Sequence, residues 1–298
     1  MRNFFIINPV AGKGHYQKEI AKQLEGQEVY YTHHAGEATE YAKQICEKTD
    51  DNIRIFCCGG EGTVFEVLNG IVGKEKVELG IIPCGTANDF LRGFGKREDF
   101  LDIKEQIEGT AIDIDLIKAG EKYAFNSCSV GLDAIVCQNV AKFKRWPLVN
   151  DRMAYTLSLI YSFLGKLSLK LNIEVNDKTI NRDCLFAVAA NAPWYGGGYM
   201  PAPAASPFDG IMNYTIIRPV PRLKILSLLN VYKKGEHIGR DFCESGETQQ
   251  MTVWSDKPMP INMDGEIFTA DRITFTLVKK GVRIVLPQKV YQKIEKSL

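Results

Sequence analysis

The sequence has no excess charge of either sign and no hydrophobic run long enough to cross a bilayer. Its 37 Lys and Arg side chains are matched by 36 Asp and Glu, for a formal net charge of +1. No general attraction to nucleic acid is expected from such a balance. The longest uncharged apolar stretch lies between Arg152 and Lys166, which is shorter than the roughly 20 residues of a membrane-spanning helix. We therefore expect no transmembrane span and no nucleic-acid partner.

Paired cysteine motifs and an export signal are also lacking. The eight cysteines form no CxxC pair. Near the N-terminus, Asn8 and Pro9 interrupt the apolar run FFII before a signal-peptide core could form. The cysteines are therefore expected to be reduced thiols in a cytoplasmic protein.

The pattern of apolar residues predicts two domains. At 298 residues the chain has about twice the usual single-domain length. Its first third alternates short apolar runs with amphipathic stretches, which predicts a parallel sheet covered by helices. After Gly109 most runs have period two, which predicts antiparallel strands. We expect an α/β domain at 1–116 and a β-rich domain at 117–287, with a helix at 288–298 that packs on the first domain.

A glycine-rich turn gives the strongest local signal. In FCCGGEGTVFEVLNG an apolar strand enters a turn with Gly59, Gly60 and Gly62, and a helix is predicted to begin near Thr63. Glycines allow close approach of the backbone to an anion, and a helix N-terminus supplies amide donors. The turn is neither a Walker A loop nor a dinucleotide fingerprint. A strand–helix turn without a ligand is the alternative.

A second strand–turn–helix unit follows in LGIIPCGTANDFLRGFG. Gly85 and Thr86 end the strand, and Asn88 and Asp89 open the next helix. Because ligands bind at the carboxyl ends of parallel strands, we expect the two turns to share one nucleotide.

These motifs resemble those of a known family. GGEGTVFEVLNG is similar to the GGDGTxNEVxNG signature of the diacylglycerol kinase catalytic domain family, and PCGTANDFLR to its P-x-GT-x-NDFAR. The resemblance continues through INPVAGKG, THHAGEATEYA, VGLDA, GGGYMPAPAASPFDG and NMDGE, over nearly the whole chain. It implies a soluble bacterial lipid kinase. The implied fold is an α/β domain like that of NAD kinase or phosphofructokinase, followed by a mostly antiparallel β-sandwich domain.

The resemblance also implies the reaction and the site. ATP, with Mg²⁺, would phosphorylate a lipid hydroxyl at a membrane surface, with diacylglycerol as the default acceptor and phosphatidic acid as the product. Asp264 or Glu266 of the DGE turn, which faces the γ-phosphate in this family, would take the hydroxyl proton. The implied nucleotide contacts are Asn8, Thr32, Gly59, Gly60, Glu61, Gly62, Thr63, Glu66, Gly85, Thr86, Asn88 and Asp89.

The segment SPFDG resembles the family's structural metal loop. Asp209 would supply the carboxylate, and the carbonyls of Ser206 and Ile211 would complete the set. Phe208 and Asn213 occupy two positions that are commonly acidic, so the predicted site has less charge.

Two departures bear on activity. Glu61 and Phe65 stand where the family has Asp and Asn, and Mg²⁺ is sensitive to ligand geometry. The chain is therefore either a kinase that accommodates these changes or a nucleotide- or lipid-binding relative with little turnover. A kinase of another lipid or of a soluble alcohol is a further alternative. The soluble alcohol is considered because NAD kinases and phosphofructokinases carry a similar GGDG loop. The PCGTANDF motif argues against it.

A basic and apolar segment suggests how a lipid substrate could be reached. KFKRW, at 142–146, precedes MAYTLSLIYSFLG, a combination that can dock on a membrane surface. A core helix with a solvated basic end explains it equally well. We expect peripheral membrane contact and leave a homodimer open.

Overall fold

The computed structural model describes residues 1–14, 17–85, 88–143, 146, 149, 151–165 and 167–297. Its strands are β1 (Arg2–Ile7), β2 (Glu28–Tyr31), β3 (Ile53–Gly59), β4 (Val77–Pro83), β5 (Thr110–Ala119), β6 (Lys122–Ala124), β7 (Ser127–Gly131), β8 (Leu169–Val175), β9 (Lys178–Cys184), β10 (Phe186–Ala190), β11 (Met212–Ile217), β12 (Cys243–Thr248), β13 (Gln250–Met263) and β14 (Glu266–Leu286). Its α-helices are α1 (Gln17–Gln23), α2 (Glu37–Lys48), α3 (Glu61–Ile71), α4 (Ile103–Ile107), α5 (Leu132–Phe143), α6 (Asp151–Leu164), α7 (Arg222–Lys233) and α8 (Gln288–Ile294). Short 3₁₀ turns lie at Ala11–Gly14, Asp89–Gly93, Arg97–Phe100 and Glu295–Ser297.

The chain divides into two compact units. The first unit contains Met1–Leu116, Pro207–Gly210 and Val278–Leu298, and the second contains Ile117–Ser206 and Ile211–Leu277. The boundaries expected from the sequence stay a prediction. The units differ from them in one respect, since 207–210 and 278–287 belong to the first unit.

The first unit is built on a parallel sheet. β1 lies between β2 and β3, β3 pairs with β4, and the last part of β14 adds to β4 in parallel through Arg283–Val285. All seven residues of β4 are buried, as expected for a strand covered on both faces. Alternation along the strands directs Phe5 and Phe56 toward α1 and α4, where the two rings stack with centroids 4.8 Å apart. The alternating runs of the first third therefore predicted this sheet correctly.

The second unit is antiparallel. β7 lies between β10 and β13, and β10 continues to β11 and then β12. β13 changes partner along its length: Met251–Trp254 pair with β8, and Ile261–Met263 pair with β7. The register shifts between Trp254 and Met259, so one long strand contributes to two antiparallel groups, one of which ends in the β8–β9 hairpin.

Helices α5, α6 and α7 interrupt the strands of the second unit. None of the helices in the described part of the chain has the length and apolar composition that a membrane crossing requires. The helix expected to open at Asn88 and Asp89 is only a 3₁₀ turn, Asp89–Gly93, and the Asn88 that precedes it has a left-handed backbone (φ 52°).

Candidate active site

The turn from Gly59 to Gly62 connects β3 to α3 and requires small residues. A Cβ added to Gly59 would lie 2.5 Å from the Cβ of Thr63. Gly60 is the N-cap of α3 and has an extended backbone (φ −92°, ψ −174°). The chain therefore passes from strand to helix within a space that excludes a larger residue at position 59.

The N-terminus of α3 supplies amide donors beside this turn. The first amides of an α-helix have no acceptor within the helix, and the helix dipole makes this end positive. In α3 the bond from Val64 N to Gly60 O, 3.0 Å long, begins the helical ladder. The amides that precede Val64 form the type of helix terminus that binds phosphate.

The turn after β4 contacts the first turn through backbone atoms. A Cβ on Gly85 would lie 2.4 Å from Gly60 Cα. The carbonyl oxygen of Gly59 accepts a hydrogen bond from Gly85 N at 3.1 Å, and the Arg97 guanidinium donates to Gly85 O. The structure therefore brings together the two turns that were expected to share a nucleotide. Thr86 lies outside the described residues.

Polar side chains at the ends of β1 and β2 lie along the same edge of the sheet. Asn8 Nδ2 donates to Thr63 Oγ1 at 2.9 Å, and Asn8 Oδ1 accepts from Val10 N at 3.1 Å. Thr32 is buried, and its amide donates to Ile7 O at 2.9 Å. Asn8 thus attaches the end of β1 to the first turn of α3.

The Glu61 carboxylate crosses from the first turn to the second. Its Oε1 accepts a hydrogen bond from Asp89 N at 2.8 Å. The Asp89 carboxylate is buried and pairs with Arg92 Nε at 2.6 Å. The sequence analysis did not foresee this contact.

Asn88 presents a buried acceptor at the second turn. Its Nδ2 donates to Gly59 O at 3.4 Å. Its Oδ1 is buried and has no hydrogen-bond partner within the described ranges. Buried amide oxygens are nearly always paired, so this atom is suited to a ligand that presents an N–H or O–H group.

Glu66 has the contacts of a helix cap. Its two carboxylate oxygens accept from Gly36 N at 2.8 Å and Ala38 N at 3.2 Å, at the start of α2. The Thr39 hydroxyl donates to Glu66 O at 2.8 Å. The expected nucleotide contact of Glu66 stays a prediction. On the same helix the Phe65 side chain is buried, so it contributes to packing.

The DGE sequence of the second unit forms a two-residue hairpin turn between β13 and β14. Asp264 (φ 49°) and Gly265 (φ 94°) both have left-handed backbones, the conformation of a type I′ turn. The Asp264 carboxylate accepts from three successive amides, at 2.5 Å from Phe125 N and 3.0 Å from both Asn126 N and Ser127 N. Asp264 therefore fixes the turn against the start of β7.

Glu266 has very different surroundings, although it is only two residues away. It opens β14, where it pairs in register with Met263, and it is exposed. Its carboxylate has no hydrogen bond or ion pair among the residues that the structure describes. Of the two predicted bases, Glu266 is the one with an uncommitted side chain.

The predicted metal loop is fixed by Asp115. The carboxylate of Asp115 accepts from Gly210 N and from Lys280 N, each at 2.8 Å. The Phe208 ring packs edge-on against Phe94, with centroids 5.6 Å apart. The donors around Asp209 would be one carboxylate and main-chain carbonyls, an oxygen-only set that suits a hard cation. Among the described residues no group of three His, Cys, Asp or Glu side chains is placed to hold a metal, so the site at Asp209, Ser206 and Ile211 stays a prediction.

A polar cluster around Asp133 was not assigned by the sequence analysis. Asp133 lies in the first turn of α5, and both of its carboxylate oxygens are buried. Neither oxygen completes a hydrogen bond of ordinary geometry with a described residue. Burial raises the pKa of the carboxyl to about 6, and the nearby Ser129 and Tyr195 hydroxyls oppose this shift. Tyr195 is itself 3.0 Å from Tyr232, oxygen to oxygen.

The chain matches two family models that together cover most of its length. Residues 2–119 match the diacylglycerol kinase catalytic domain, and residues 126–286 match the YegS C-terminal NAD kinase beta sandwich-like domain. The "Putative lipid kinase YtlR" of Bacillus subtilis (strain 168) is 30% identical over 286 residues, covering 89% of this chain and 93% of the relative. The chain belongs to the YegS-like lipid kinases.

Other similarities agree with this family. The "Probable lipid kinase YegS-like" of Shewanella frigidimarina (strain NCIMB 400) is 28% identical over 257 residues, covering 84% of this chain and 82% of the relative. A crystal structure titled "putative diacylglycerol kinase from Bacillus anthracis str. Sterne" superposes with a TM-score of 0.73 at 20% identity, over 97% of this chain and 98% of that one. The latter likeness shows the fold alone. The predicted fold class, an α/β domain followed by a β-sandwich-like domain, is confirmed for this YegS-like lipid kinase.

Proposed function

We propose that this YegS-like lipid kinase transfers the γ-phosphate of ATP to the hydroxyl of diacylglycerol, giving phosphatidic acid. The observation that carries the proposal is the backbone contact between the two turns, Gly59–Gly62 and Gly85, at the N-terminus of α3. Family membership supports the coarser reaction class, phosphoryl transfer to a lipid. We place the reaction in the cytoplasm, at a membrane surface that the protein contacts peripherally.

The proposed nucleotide site uses the first unit. Amides that precede Val64 in α3 would hold phosphate oxygens, and Asn8 and Thr63 would border them. Asn88 Oδ1, which has no hydrogen-bond partner among the described residues, would accept from an N–H or O–H group of the nucleotide. Mg²⁺ would enter with ATP, as part of the substrate, and would offset the phosphate charge.

In this proposal Glu266 is the general base and Asp264 is a positioning residue. The acceptor hydroxyl oxygen forms a bond to the γ-phosphorus, the bond from that phosphorus to the β–γ bridging oxygen breaks, and ADP leaves. The hydroxyl proton passes to the Glu266 carboxylate. The exposed and unpaired state of Glu266 supports this role, whereas Asp264 is occupied by three amides.

Labelled ATP tests the acceptor. The purified full-length chain is incubated with labelled ATP, Mg²⁺ and lipid alcohols in mixed micelles, and the products are separated by chromatography. Labelled phosphatidic acid is expected with diacylglycerol. A product formed only with another lipid alcohol would replace diacylglycerol as the acceptor, and a product formed only with a soluble alcohol would overturn the proposal.

A second candidate is a nucleotide- or lipid-binding protein with little turnover. Glu61, at the position of the family's Asp, accepts a hydrogen bond from the Asp89 amide through its carboxylate, and the Phe65 side chain is buried. ATP binding measured by calorimetry, without a labelled product from any acceptor, would favour this candidate.

A further inference from the structure

Helix α7 exposes two leucines at the surface of the second unit. Leu223 and Leu226 are 83% and 52% exposed, and three positions separate them, so they lie on one face of the helix. On the other side of α7, Ile225 is buried in a core cluster with Leu185 and Ile217. The exposed leucines therefore do not belong to the face of α7 that packs against the core.

A cationic pocket adjoins this helix. The pocket measures about 530 Å³ and is lined by Arg218, Pro219, Val220, Lys224, Arg240, Asp241 and Phe242. Three of these side chains are cationic and one is anionic.

The positive charge around this pocket is only partly neutralised. Arg218 is 4.0 Å from Glu244, but that carboxylate is shared with Arg182, which is closer at 2.8 Å. The Lys224 ammonium lies 5.9 Å from the centre of the Phe242 ring. The pocket is thus suited to an anion.

The start of α7 adds to this positive potential. Its first turn carries Arg222 and Lys224 and no carboxylate, although the N-terminal end of a helix is itself positive. Arg222 donates to Gly165 O, just after α6, which fixes the start of α7 in place. Cations at this end cost stability unless an external anion compensates them.

We infer that the α7 surface, formed by Leu223, Leu226, Arg218, Lys224 and Arg240, docks on an anionic lipid membrane. The leucines would enter the boundary between headgroups and acyl chains, and the cations would lie beside lipid phosphates. Apolar side chains next to cations match a phospholipid surface. This inference rests on the proposed function only in that a diacyl acceptor resides in a membrane.

Vesicle sedimentation of the full-length protein, without ATP, tests the inference. Vesicles contain phosphatidylcholine alone or equal parts of phosphatidylcholine and phosphatidylglycerol. The charge variant is Arg218→Gln with Lys224→Gln, and the leucine variant is Leu223→Ser with Leu226→Ser. Lys170→Gln with Lys178→Gln, at two exposed positions of the β8–β9 hairpin, removes the same charge as a matched control. Leu164→Ser removes an exposed leucine of α6 (73% exposed).

The expected result is preferential binding to the phosphatidylglycerol vesicles that weakens with salt. The charge variant should bind them about tenfold to thirtyfold more weakly. The leucine variant should bind them several-fold more weakly, and the hairpin control should bind like the parent. Circular dichroism melting of each variant separates loss of binding from loss of folding.

Three results would overturn the inference: no binding of the parent protein to anionic vesicles, unchanged binding by both α7 variants, or a loss confined to Leu164→Ser. If millimolar inorganic phosphate abolished the binding of the protein to vesicles completely, the inference would also be overturned, in favour of a soluble anion as the ligand. Because binding is scored without nucleotide, a failed kinase assay would reject the proposed function and leave this result unaffected.

Discussion

Asp264 and Glu266 differ in what surrounds their carboxylates, although both belong to one hairpin. Asp264 has a left-handed backbone and accepts three amide hydrogen bonds from 125–127. Glu266 is exposed at the first position of β14. Sequence alone left the two residues equivalent as candidate bases, because the amides that engage Asp264 are 137 to 139 positions away in the chain.

This difference separates the effects of two conservative substitutions. Glu266→Gln should lower kcat by about 10²-fold, the usual scale for loss of a general base. Its free energy of unfolding should change by less than about 0.5 kcal/mol, because the side chain is exposed. Asp264→Asn should destabilise the fold by about 1–3 kcal/mol, since charged acceptors of buried amides are costly to replace. Equal loss of stability in both variants, in urea titrations, would contradict this assignment.

The second prediction at the residue scale concerns Glu61. Glu61→Asp shortens the side chain by one methylene and should release the Asp89 amide, at a cost of about 1 kcal/mol in the free energy of unfolding. Glu61→Gln keeps the length and one acceptor oxygen, so it should retain most of that stability. Urea titration of both variants measures the difference. A Glu61→Asp protein as stable as the parent would show that the bond to Asp89 contributes nothing.

At the scale of elements, the two turns hold one another through their backbones. Gly85 approaches Gly60 so closely that a side chain at position 85 would displace the first turn. The parallel sheet accounts for this meeting, because β3 and β4 are neighbours and both turns follow their carboxyl ends. This part of the candidate site could be predicted from the sequence, since it needs only the order of apolar runs and glycines.

Gly85→Ala tests the contact between the turns. The added Cβ would lie 2.4 Å from Gly60 Cα, which forces one turn to move. We expect ATP affinity, measured by calorimetry, to fall by about tenfold or more, with about 1–3 kcal/mol of destabilisation from overpacking. Gly165→Ala is a matched control, because its Cβ would meet only ordinary contacts of 3.5 Å or more. Unchanged affinity in Gly85→Ala would remove this turn from the nucleotide site.

Other parts of the elements could not be predicted. The NMDGE motif read as a feature of its own, whereas it begins at the end of β13, a strand of 14 residues that shifts register between Trp254 and Met259. Glu66 appeared to belong to the nucleotide loop, but its carboxylate caps α2, 28 to 30 positions earlier. In both cases a tertiary contact decides the outcome, and local periodicity carries no information about it.

At the scale of the whole molecule, each unit has its own buried core and its own polar chemistry. The first unit carries the amides, Asn8 and Asn88, which suit a nucleotide. The second unit carries the DGE turn and the buried cluster around Asp133. VGLDA was noted for its resemblance only, since nothing in its spacing reveals that the Asp133 oxygens are buried.

Asp133 makes the stability of the protein depend on pH. Burial raises the pKa of its carboxyl from 3.8 to about 6, so the folded state holds this proton more tightly than the unfolded state does. The resulting stabilisation is fully present below pH 3.8 and is lost as the pH rises through about 6, a change of about 2–3 kcal/mol. Asp133→Asn removes the titration. The unfolding free energies of parent and variant are measured by urea titration from pH 4 to 7.5. As the pH rises, the parent should therefore lose stability relative to the variant. A difference that stays constant across this range would show that the Asp133 carboxyl keeps its ordinary pKa in the folded protein.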